Sequence, residues 1–509
     1  MSKPISKTKK ILLVVLIPII GITILSASIF GIAYGYLNRD TIKLDIDENE
    51  TYQSNVLFGA SSAWNFRVLG KDENAEIQQE IINALYGKDG LELSVFRYNI
   101  GAGSIDLNIP TYNECTSTES FFDTSKYVDN SSFADESNYD ASKDAYYLDM
   151  FKLSLDTGDI KKVVLFSNSP HYLLTKNHLT HADVEHENNL PEENFGAFAK
   201  YVLISSKIIK DQMDSWGYTN IPIYISPVNE PQWKWGGSSN GQEGCHYDAD
   251  HLAKFYDVFY TELKAFNADN NTSFIMDIYE SGNYKLGLAS SKNKKYFNEF
   301  SKYSYFEELD EISMHSYAAD TDKSIRRKWY NYFKKYDKKF VMSEYCVMQG
   351  GVDTSIQMGI NSSKVIMQDL NILNAVEWNW WLGFANGGWE DGLIYFNRET
   401  KEINKYYRYY MYGQFMKYAK GTRFKADIHD LYDFGGVDSV AFKDGDTLTF
   451  IILNDNNTPK NIKIELDGIT SSKMIETYEN TYWKESDLDY TGVYTVQPNS
   501  VSTIILKRG

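Results

Sequence analysis

Eight short apolar segments, each ending in polar or glycine-rich residues, alternate with longer stretches in which apolar residues recur every three or four positions. This alternation is typical of βα units and predicts a parallel sheet surrounded by helices. Eight units are the number that closes a (β/α)8 TIM barrel. The predicted strands, with the turns that follow them, are residues 56–63, 93–103, 162–170, 221–231, 273–279, 311–317, 339–345 and 375–382. The clearest predicted helices are residues 194–216, 248–266, 324–336 and 355–373. We therefore expect an α/β fold with one large barrel.

The pattern changes after residue 421, where short stretches alternate apolar and polar residues and are interrupted by Asp-Gly pairs. Such alternation is typical of antiparallel strands with one buried face. Residues 422–509 are therefore predicted to form a fused antiparallel β-sandwich, with hairpin turns at Asp444-Gly445 and Asp467-Gly468. Residues 41–55 also read as extended and are expected to join that sheet, which leaves 56–421 for the barrel.

Residues 1–40 differ from the rest of the chain, because four lysines precede an uncharged apolar run at 11–37. That run is longer than the roughly 20 residues needed to cross a bilayer. Cleavage after 26–28, as in a signal peptide, would leave a strongly apolar new terminus, so an uncleaved transmembrane helix is favoured over secretion. The lysines before the span place the amino terminus in the cytoplasm and the remainder at the cell surface.

The chain is acidic, with a formal charge of −18, and without the four lysines of residues 1–37 the remainder carries −22. This charge excludes nucleic acid as a partner and favours a neutral polymer. The three cysteines have spacings that match no metal motif, and no cofactor is expected. We expect the protein to act as a monomer.

Two predicted strands end in a glutamate. Glu230 ends the fourth strand within the sequence Asn-Glu-Pro, and Glu344 ends the seventh, 114 residues later. The carboxyl ends of barrel strands form the catalytic face, and glycoside hydrolysis requires two carboxyl groups, one on each side of the scissile bond. The competing interpretation, in which each glutamate caps a helix or pairs with a lysine, would have to hold twice.

Six motifs at the ends of predicted strands resemble those of glycoside hydrolase family 30, and most closely its endo-β-1,6-galactanase branch. The resemblance extends over nearly everything from residue 41 onward and implies a (β/α)8 barrel with a β-sandwich, no metal, and retention of anomeric configuration. The motifs are SVFRYNIG at 94–101, FSNSPHY at 166–172, SPVNEPQW at 226–233 with QEG at 242–244, HSY at 315–317, SEY at 343–345 and WNW at 378–380.

The resemblance implies that Glu230 is the acid/base and Glu344 the nucleophile. Arg97 would hold Glu344 ionised, and Tyr317 would donate a hydrogen bond to it. Asn229 would bind the sugar 2-hydroxyl, a contact that strengthens in the transition state.

Further substrate-binding residues are predicted from their positions after strands. His315 is expected to line the site. Trp233, Trp378 and Trp380 offer flat faces for sugar rings, and Trp378 and Trp380 share one face of a strand, which we expect to point into the barrel. A second group follows the third strand and would shape the subsite for the non-reducing-side sugar: Asn168, His171 and Tyr172.

The polymer is less constrained than the chemistry, because strand-end motifs determine the reaction better than the substrate. The first hypothesis is a retaining endo-glycosidase that cleaves β-1,6-galactan side chains. Another family 30 specificity, such as β-1,6-glucanase or xylanase, and exo action remain open. A different class of function, a non-catalytic membrane-tethered carbohydrate-binding protein, would usually have lost one of the two carboxylates.

Overall fold

The computed structural model of the chain describes residues 41–284, 292–317, 319, 321–428 and 436–509. The predicted transmembrane segment at 11–37 lies outside these residues. Within the described ranges, no helix combines the length and the apolar character that a membrane span needs.

The chain divides into two compact units. The larger unit is Tyr52–Arg423, and the smaller consists of Phe424–Gly509 with the described residues up to Thr51. The sequence-based boundaries, 55/56 and 421/422, differ from this division by only a few residues. Strand β1 (Thr41–Ser54) belongs to the sheet of the smaller unit, where its first residues pair in parallel with residues 461–463.

The larger unit contains a parallel sheet of eight strand positions in chain order, and β10 pairs with β2 to complete the ring. The fifth position consists of two short strands, of which β6 pairs with β5 and β7 pairs with β8. These strands are β2 (Leu57–Ser61), β3 (Val95–Asn99), β4 (Lys162–Phe166), β5 (Ile223–Ser226), β6 (Ile275–Met276), β7 (Tyr279–Ser281), β8 (Glu311–His315), β9 (Lys339–Tyr345) and β10 (Glu377–Ala385). All eight predicted barrel strands are confirmed.

Helices follow the barrel strands, as predicted, and their buried sides carry the apolar residues. In the helix Lys323–Lys335, for example, Ile325, Trp329 and Phe333 recur at four-residue steps and are buried, and the Asp322 side chain caps the first turn. The helices are α1 (Asn65–Asp72), α2 (Ala75–Tyr86), α3 (Ala145–Thr157), α4 (Phe195–Ser215), α5 (Ala249–Asn270), α6 (Lys292–Phe300), α7 (Tyr305–Glu308), α8 (Lys323–Lys335), α9 (Ile356–Ile372) and α10 (Tyr407–Tyr418). Between β10 and α10, β11 (Gly392–Phe396) and β12 (Ile403–Asn404) extend the sheet.

The barrel strands β2, β3 and β10 pack closely together at Gly59. Gly59 in β2 approaches its neighbours so closely that a Cβ would lie 2.3 Å from the Asn379 side chain and 2.7 Å from Val95. Only glycine fits such an approach without displacing a strand. Arg97 in β3 and Glu344 in β9 are buried near the carboxyl ends of their strands.

The smaller unit is a nine-stranded sheet with one apolar core. Residues from both halves of the sheet, such as Leu44, Phe450 and Val496, contribute to that core. The strands of this unit pair in the antiparallel direction, except that residues 41–43 of β1 pair in parallel with residues 461–463. The strands after α10 are β13 (Thr422–Ile428), β14 (Val437–Asp444), β15 (Thr447–Asn454), β16 (Lys460–Lys463), β17 (Ile469–Tyr478), β18 (Thr481–Leu488), β19 (Val493–Val496) and β20 (Ser500–Arg508).

One predicted hairpin turn is correct and the other is wrong. The turn after Asp444 joins β14 to β15, which pair directly. Asp467-Gly468 precedes β17, but β17 pairs with β18 and β20 and not with β16. The Asp-Gly pair instead leads the chain from one half of the sheet to the other. Gly468 supplies the positive φ that this turn requires.

Candidate active site

Glu230 follows β5 and is held by its backbone. Its φ is +45°, a left-handed conformation that is costly for a residue with a side chain. The Glu230 amide donates to the Glu280 carbonyl at 2.9 Å, and the Trp235 indole donates to the Glu230 carbonyl at 2.8 Å. These contacts fix the direction of the side chain at the end of the strand.

The carboxyl groups of Glu230 and Glu344 face each other beside His315. One oxygen of each glutamate and one His315 ring nitrogen all lie within 4.8 Å of one another. The Glu230 side chain retains some exposure, whereas Glu344 is almost completely buried. The two glutamates singled out from the sequence are therefore brought together.

Glu344 has a separate partner on each oxygen. Tyr317 donates its hydroxyl to Oε1 at 3.1 Å, and Nη1 of Arg97 donates to Oε2 at 3.2 Å. Both contacts are those that the resemblance implied. Burial raises the pKa of Glu344, while His315 and Arg97 act against that shift.

His315 joins three carboxyl groups. Its Nδ1 lies 3.0 Å from Glu230 and 3.5 Å from Glu344, and its Nε2 lies 2.8 Å from Glu280. Burial alone would lower the pKa of His315, but Glu344, Glu230 and Glu280 raise it to about 10. The ring is therefore a buried imidazolium, and both of its nitrogens face carboxylates.

Glu280 is a residue of this cluster that the sequence reasoning missed. It is fully buried in β7, accepts hydrogen bonds from Arg97 at 3.3 Å and from Ser343, and contacts His315. Burial acts to raise the pKa of Glu280, but Arg97 and His315 lower it to about 2. Glu280 thus holds both cations that contact Glu344. Its position at the end of the fifth strand was the available signal, since Glu230 and Glu344 were found in the same way.

Glu230, His315 and Glu344 are also the one group in the described ranges whose ligand atoms are close enough to share a metal ion. As arranged, both ring nitrogens of His315 point to carboxyl oxygens, so the trio is a hydrogen-bonded cluster.

The two glutamates open onto a cavity of about 500 Å³, which we name the catalytic chamber. Its size falls in the range of small-molecule sites. Asn229 lies in its wall and has a buried side-chain oxygen with no hydrogen-bond partner among the described residues, which leaves that oxygen for a ligand hydroxyl. The chamber is lined by Asn229, Glu230, Trp233, Trp235, Gln242, Asn283, Tyr317, Glu344, Tyr345, Cys346, Val347, Met348 and Trp381.

The prediction that Trp378 and Trp380 bind sugar is wrong. Both are fully buried and face the helix layer, where each packs against Tyr412 of α10. Their indoles donate to Asp369 and to the Asp391 carbonyl. Side chains alternate along a strand, so the residue that enters the chamber is the next one, Trp381.

The group predicted after the third strand lines neither this chamber nor the cavity that adjoins it. The His171 ring lies among aromatic side chains including Phe133 and Tyr201, and burial lowers the pKa of His171 to about 3, so it is a neutral core residue. Tyr172 stacks on His171. Asn168 is buried, and neither atom of its amide has a hydrogen-bond partner within the described ranges.

Comparison with known sequences identifies a family. The sequence description of O-glycosyl hydrolase family 30 matches residues 41–395. A relative, the endo-β-1,6-galactanase of Hypocrea rufa, is 26% identical over 368 residues, which cover 70% of this chain and 70% of that protein.

Solved structures share the fold. A conserved exported protein from Bacteroides fragilis superposes with a TM-score of 0.76 at 21% identity and covers 91% of this chain and 100% of its own. The catalytic domain of GH30 xylanase C from Talaromyces cellulolyticus gives 0.66 at 15% identity, with 91% and 100% covered. At these identities the likeness shows the fold alone.

Proposed function

The chain belongs to O-glycosyl hydrolase family 30, and from that membership we propose that it is a retaining endo-β-1,6-galactanase with Glu230 as acid/base and Glu344 as nucleophile. Membership makes the protein a glycosidase. Beyond this, we propose the stereochemistry of hydrolysis, the roles of the two glutamates and the identity of the polymer.

The observation that carries the mechanism is the approach of the two carboxyl groups. An oxygen of Glu230 and an oxygen of Glu344 lie no more than 4.8 Å apart. Retaining glycosidases place their carboxyl groups roughly 5–5.5 Å apart, whereas inverting enzymes need roughly 6.5–9.5 Å to admit a water. The short separation supports direct attack by one carboxylate.

In the first step, an oxygen of Glu344 attacks the anomeric carbon while Glu230 gives its proton to the leaving glycosidic oxygen. A glycosyl ester of Glu344 forms and the bond to the departing sugar breaks. Arg97 and Tyr317 orient the attacking carboxylate through separate oxygens, so it is aligned before substrate arrives.

In the second step, Glu230 takes a proton from a water that attacks the anomeric carbon, and the ester bond to Glu344 breaks. The charge balance of the cluster suits this exchange. Arg97 and His315 supply two positive charges and Glu280 and Glu344 two negative ones, so the cluster is neutral while Glu230 carries the proton. Once Glu344 is an ester its charge disappears, and Glu230 can act as the base.

Substrate contacts in the catalytic chamber suit a neutral sugar. The free oxygen of Asn229 can accept a hydrogen bond from the sugar 2-hydroxyl, and Trp233 and Trp381 line the wall with flat apolar faces. The chain is acidic, which disfavours anionic polymers.

Galactan is proposed as the polymer because the relative named endo-β-1,6-galactanase covers 70% of the chain. Product sizing after incubation with β-1,6-galactan, β-1,6-glucan and xylan tests this assignment. We expect short galacto-oligosaccharides from galactan alone. Oligosaccharides from glucan or xylan, with none from galactan, would mean that the substrate is that other polymer. Inactivity on all three would favour the carbohydrate-binding alternative.

Rescue by azide tests the two roles separately. With an activated aryl β-galactoside, Glu230→Ala should regain turnover in azide and form a β-galactosyl azide, because the anion attacks the Glu344 ester. Glu344→Gly should instead form the α-azide, because the anion then replaces the nucleophile. NMR of the products distinguishes the outcomes. The opposite pair of anomers would mean that Glu344 is the acid/base and Glu230 the nucleophile.

We also propose that the protein is exported, anchored to the cell surface by residues 11–37, and monomeric. The basic residues before the apolar run support this orientation. Protease treatment of intact cells should remove the activity from the membrane fraction. Activity in the medium would indicate cleavage, and light scattering of the solubilised chain measures its oligomeric state.

A further inference from the structure

A second cavity, of about 540 Å³, adjoins the catalytic chamber. We name it the second chamber, and its own wall includes Trp64, Asn386, Trp389 and Asp391. The two cavities share Trp235, Gln242, Cys346, Val347, Met348 and Trp381. A chain bound at the catalytic pair can therefore continue into the second chamber without leaving the protein surface.

Two tryptophans form the inner part of the second chamber. Trp64 and Trp381 meet edge to face with ring centroids 5.2 Å apart, and both rest on a buried apolar cluster that includes Phe166 and Leu382. Trp64 has a φ of +63°, which is an outlier for a bulky residue. Strain of this kind persists where the surroundings over-determine a residue, and it concentrates at binding sites.

Trp389 is the outer aromatic of the second chamber, and 56% of it is exposed. Its loop is nevertheless firmly attached. The Glu390 amide donates to the Gln349 carbonyl at 2.9 Å, and the Gly351 amide donates to Gly388 at 3.0 Å. The buried Glu390 carboxylate pairs with Arg408. An exposed indole on an anchored loop is preorganised for contact with a ligand.

Asp391 adds a polar group to the same wall. One oxygen of its carboxyl is buried without a hydrogen-bond partner among the described residues, although its backbone carbonyl is used by Trp380. Burial raises the pKa of Asp391 to about 6. Buried polar atoms are normally paired, so this oxygen is suited to accept a hydrogen bond from a bound hydroxyl.

We propose that the second chamber binds a further neutral sugar unit of the substrate chain, with Trp389 against the C–H face of the ring and Asp391 accepting from its hydroxyls. The inference rests on the proposed glycosidase function and adds to it the residues that hold a second sugar unit of the chain. Aromatic residues combined with a few placed polar groups are the usual construction of such sites.

The test measures affinity against chain length in the Glu344→Gln variant, which binds without turning over. The probes are β-1,6-linked galacto-oligosaccharides of increasing length, with β-1,6-gluco- and xylo-oligosaccharide series in parallel, and calorimetry gives each Kd. We expect affinity to rise once the chain reaches the second chamber. Adding Trp389→Ala should weaken only these longer chains, by about tenfold.

Two further variants complete the test. Asp391→Asn should weaken the longer chains in the same selective way. Tyr146→Ala removes another exposed aromatic of the barrel that lines neither chamber, and it should change nothing. In the otherwise wild-type enzyme, Trp389→Ala should lower kcat/KM on polymer and leave it unchanged on an aryl monoglycoside.

The outcomes separate the two proposals. If the gluco- or xylo-series binds and the galacto-series does not, the polymer assignment fails, and chain-length dependence is judged on the series that binds. Equal weakening of the shortest and longest probes by Trp389→Ala, or no weakening, would overturn the second chamber as a sugar site. Absence of binding in all series would overturn both.

Discussion

Two buried charge clusters occupy opposite ends of the barrel strands, and they are built from similar side chains. The catalytic cluster gathers Arg97, Glu230, Glu280, His315 and Glu344 at the carboxyl ends. The basal cluster places Lys162 between Glu311 and Glu377, at the first residues of β4, β8 and β10.

The basal cluster even borders the larger cavity, about 690 Å³ against about 500 Å³ for the catalytic chamber. Cavity size therefore does not distinguish the active site. The basal cation contacts two carboxylates and lies 3.7 Å from the centre of the Tyr224 ring. In the catalytic cluster an imidazolium bridges three carboxyl groups, and this arrangement allows a proton to be exchanged.

The largest expected difference between the two clusters is in kcat, for a matched pair of glutamate variants. Glu344→Gln should lower kcat by roughly 10⁴-fold or more, because the amide cannot form the ester. Glu377→Gln, in the basal cluster, should leave kcat close to that of the wild type. Steady-state rates with circular dichroism to check folding measure both. Similar losses in the two variants would contradict the division of labour between the ends.

Lys162→Met should act on stability and not on chemistry. It leaves two buried glutamates without their cation. Breaking a buried ion pair lowers the free energy of unfolding by about 3–5 kcal/mol. Denaturant unfolding monitored by fluorescence gives the free energy of unfolding. A large loss of kcat in folded protein, with little change in stability, would show that the basal cluster serves catalysis.

Glu280→Gln should lower kcat by about 10²-fold without removing a reacting group, because it releases both cations that position Glu344. Loss of the Glu280 charge also lowers the pKa of His315, so the alkaline limb of the kcat–pH profile should move to lower pH.

Asp277→Asn is the matched control for Glu280→Gln, from the same part of the barrel wall. Burial raises the pKa of Asp277 well above its usual range, and the Asp277 carboxyl accepts a hydrogen bond from Ser313. Its kcat and pH profile should stay near those of the wild type. Equal effects of the two variants would remove the special role assigned to Glu280.

A further expected effect is in the pH dependence of stability. The pKa of His315 is about 10 in the folded chain against 6.5 ordinarily, so its contribution is complete below about 6.5 and lost as pH rises through 10. The pKa of Glu280 is about 2 against 4.5, so its contribution is complete above about 4.5 and lost as pH falls through 2. The thermal midpoint should therefore fall less between pH 7 and 10 in His315→Asn than in the wild type. Parallel curves would contradict the buried imidazolium.

The sequence predicted the barrel and its two glutamates because both depend on local patterns. A buried parallel strand reads as an apolar run, and the polar residue that ends it lies on the catalytic face. Glu280 was missed since its strand position is split into pieces of two and three residues, Ile275–Met276 and Tyr279–Ser281, and offers no long apolar run.

The errors at Trp378, Trp380 and His171 have a different origin. The two-residue periodicity of a strand predicts that Trp378 and Trp380 share a face. It does not predict which face, because β10 is buried on both sides. His171 follows a strand, as a catalytic residue would, but the path of the loop turns its ring into an aromatic cluster. The direction of a loop depends on contacts distant in sequence.

The anchored loop that carries Trp389 has a consequence for how enzymes of this kind diverge. Glu390 attaches the loop to Arg408, while Trp389 and Asp391 on either side of it face the second chamber. Mutations at these flanking positions can accumulate without loosening the attachment. Selection for a new polymer could therefore act on this short loop alone and leave the bond-breaking groups unchanged.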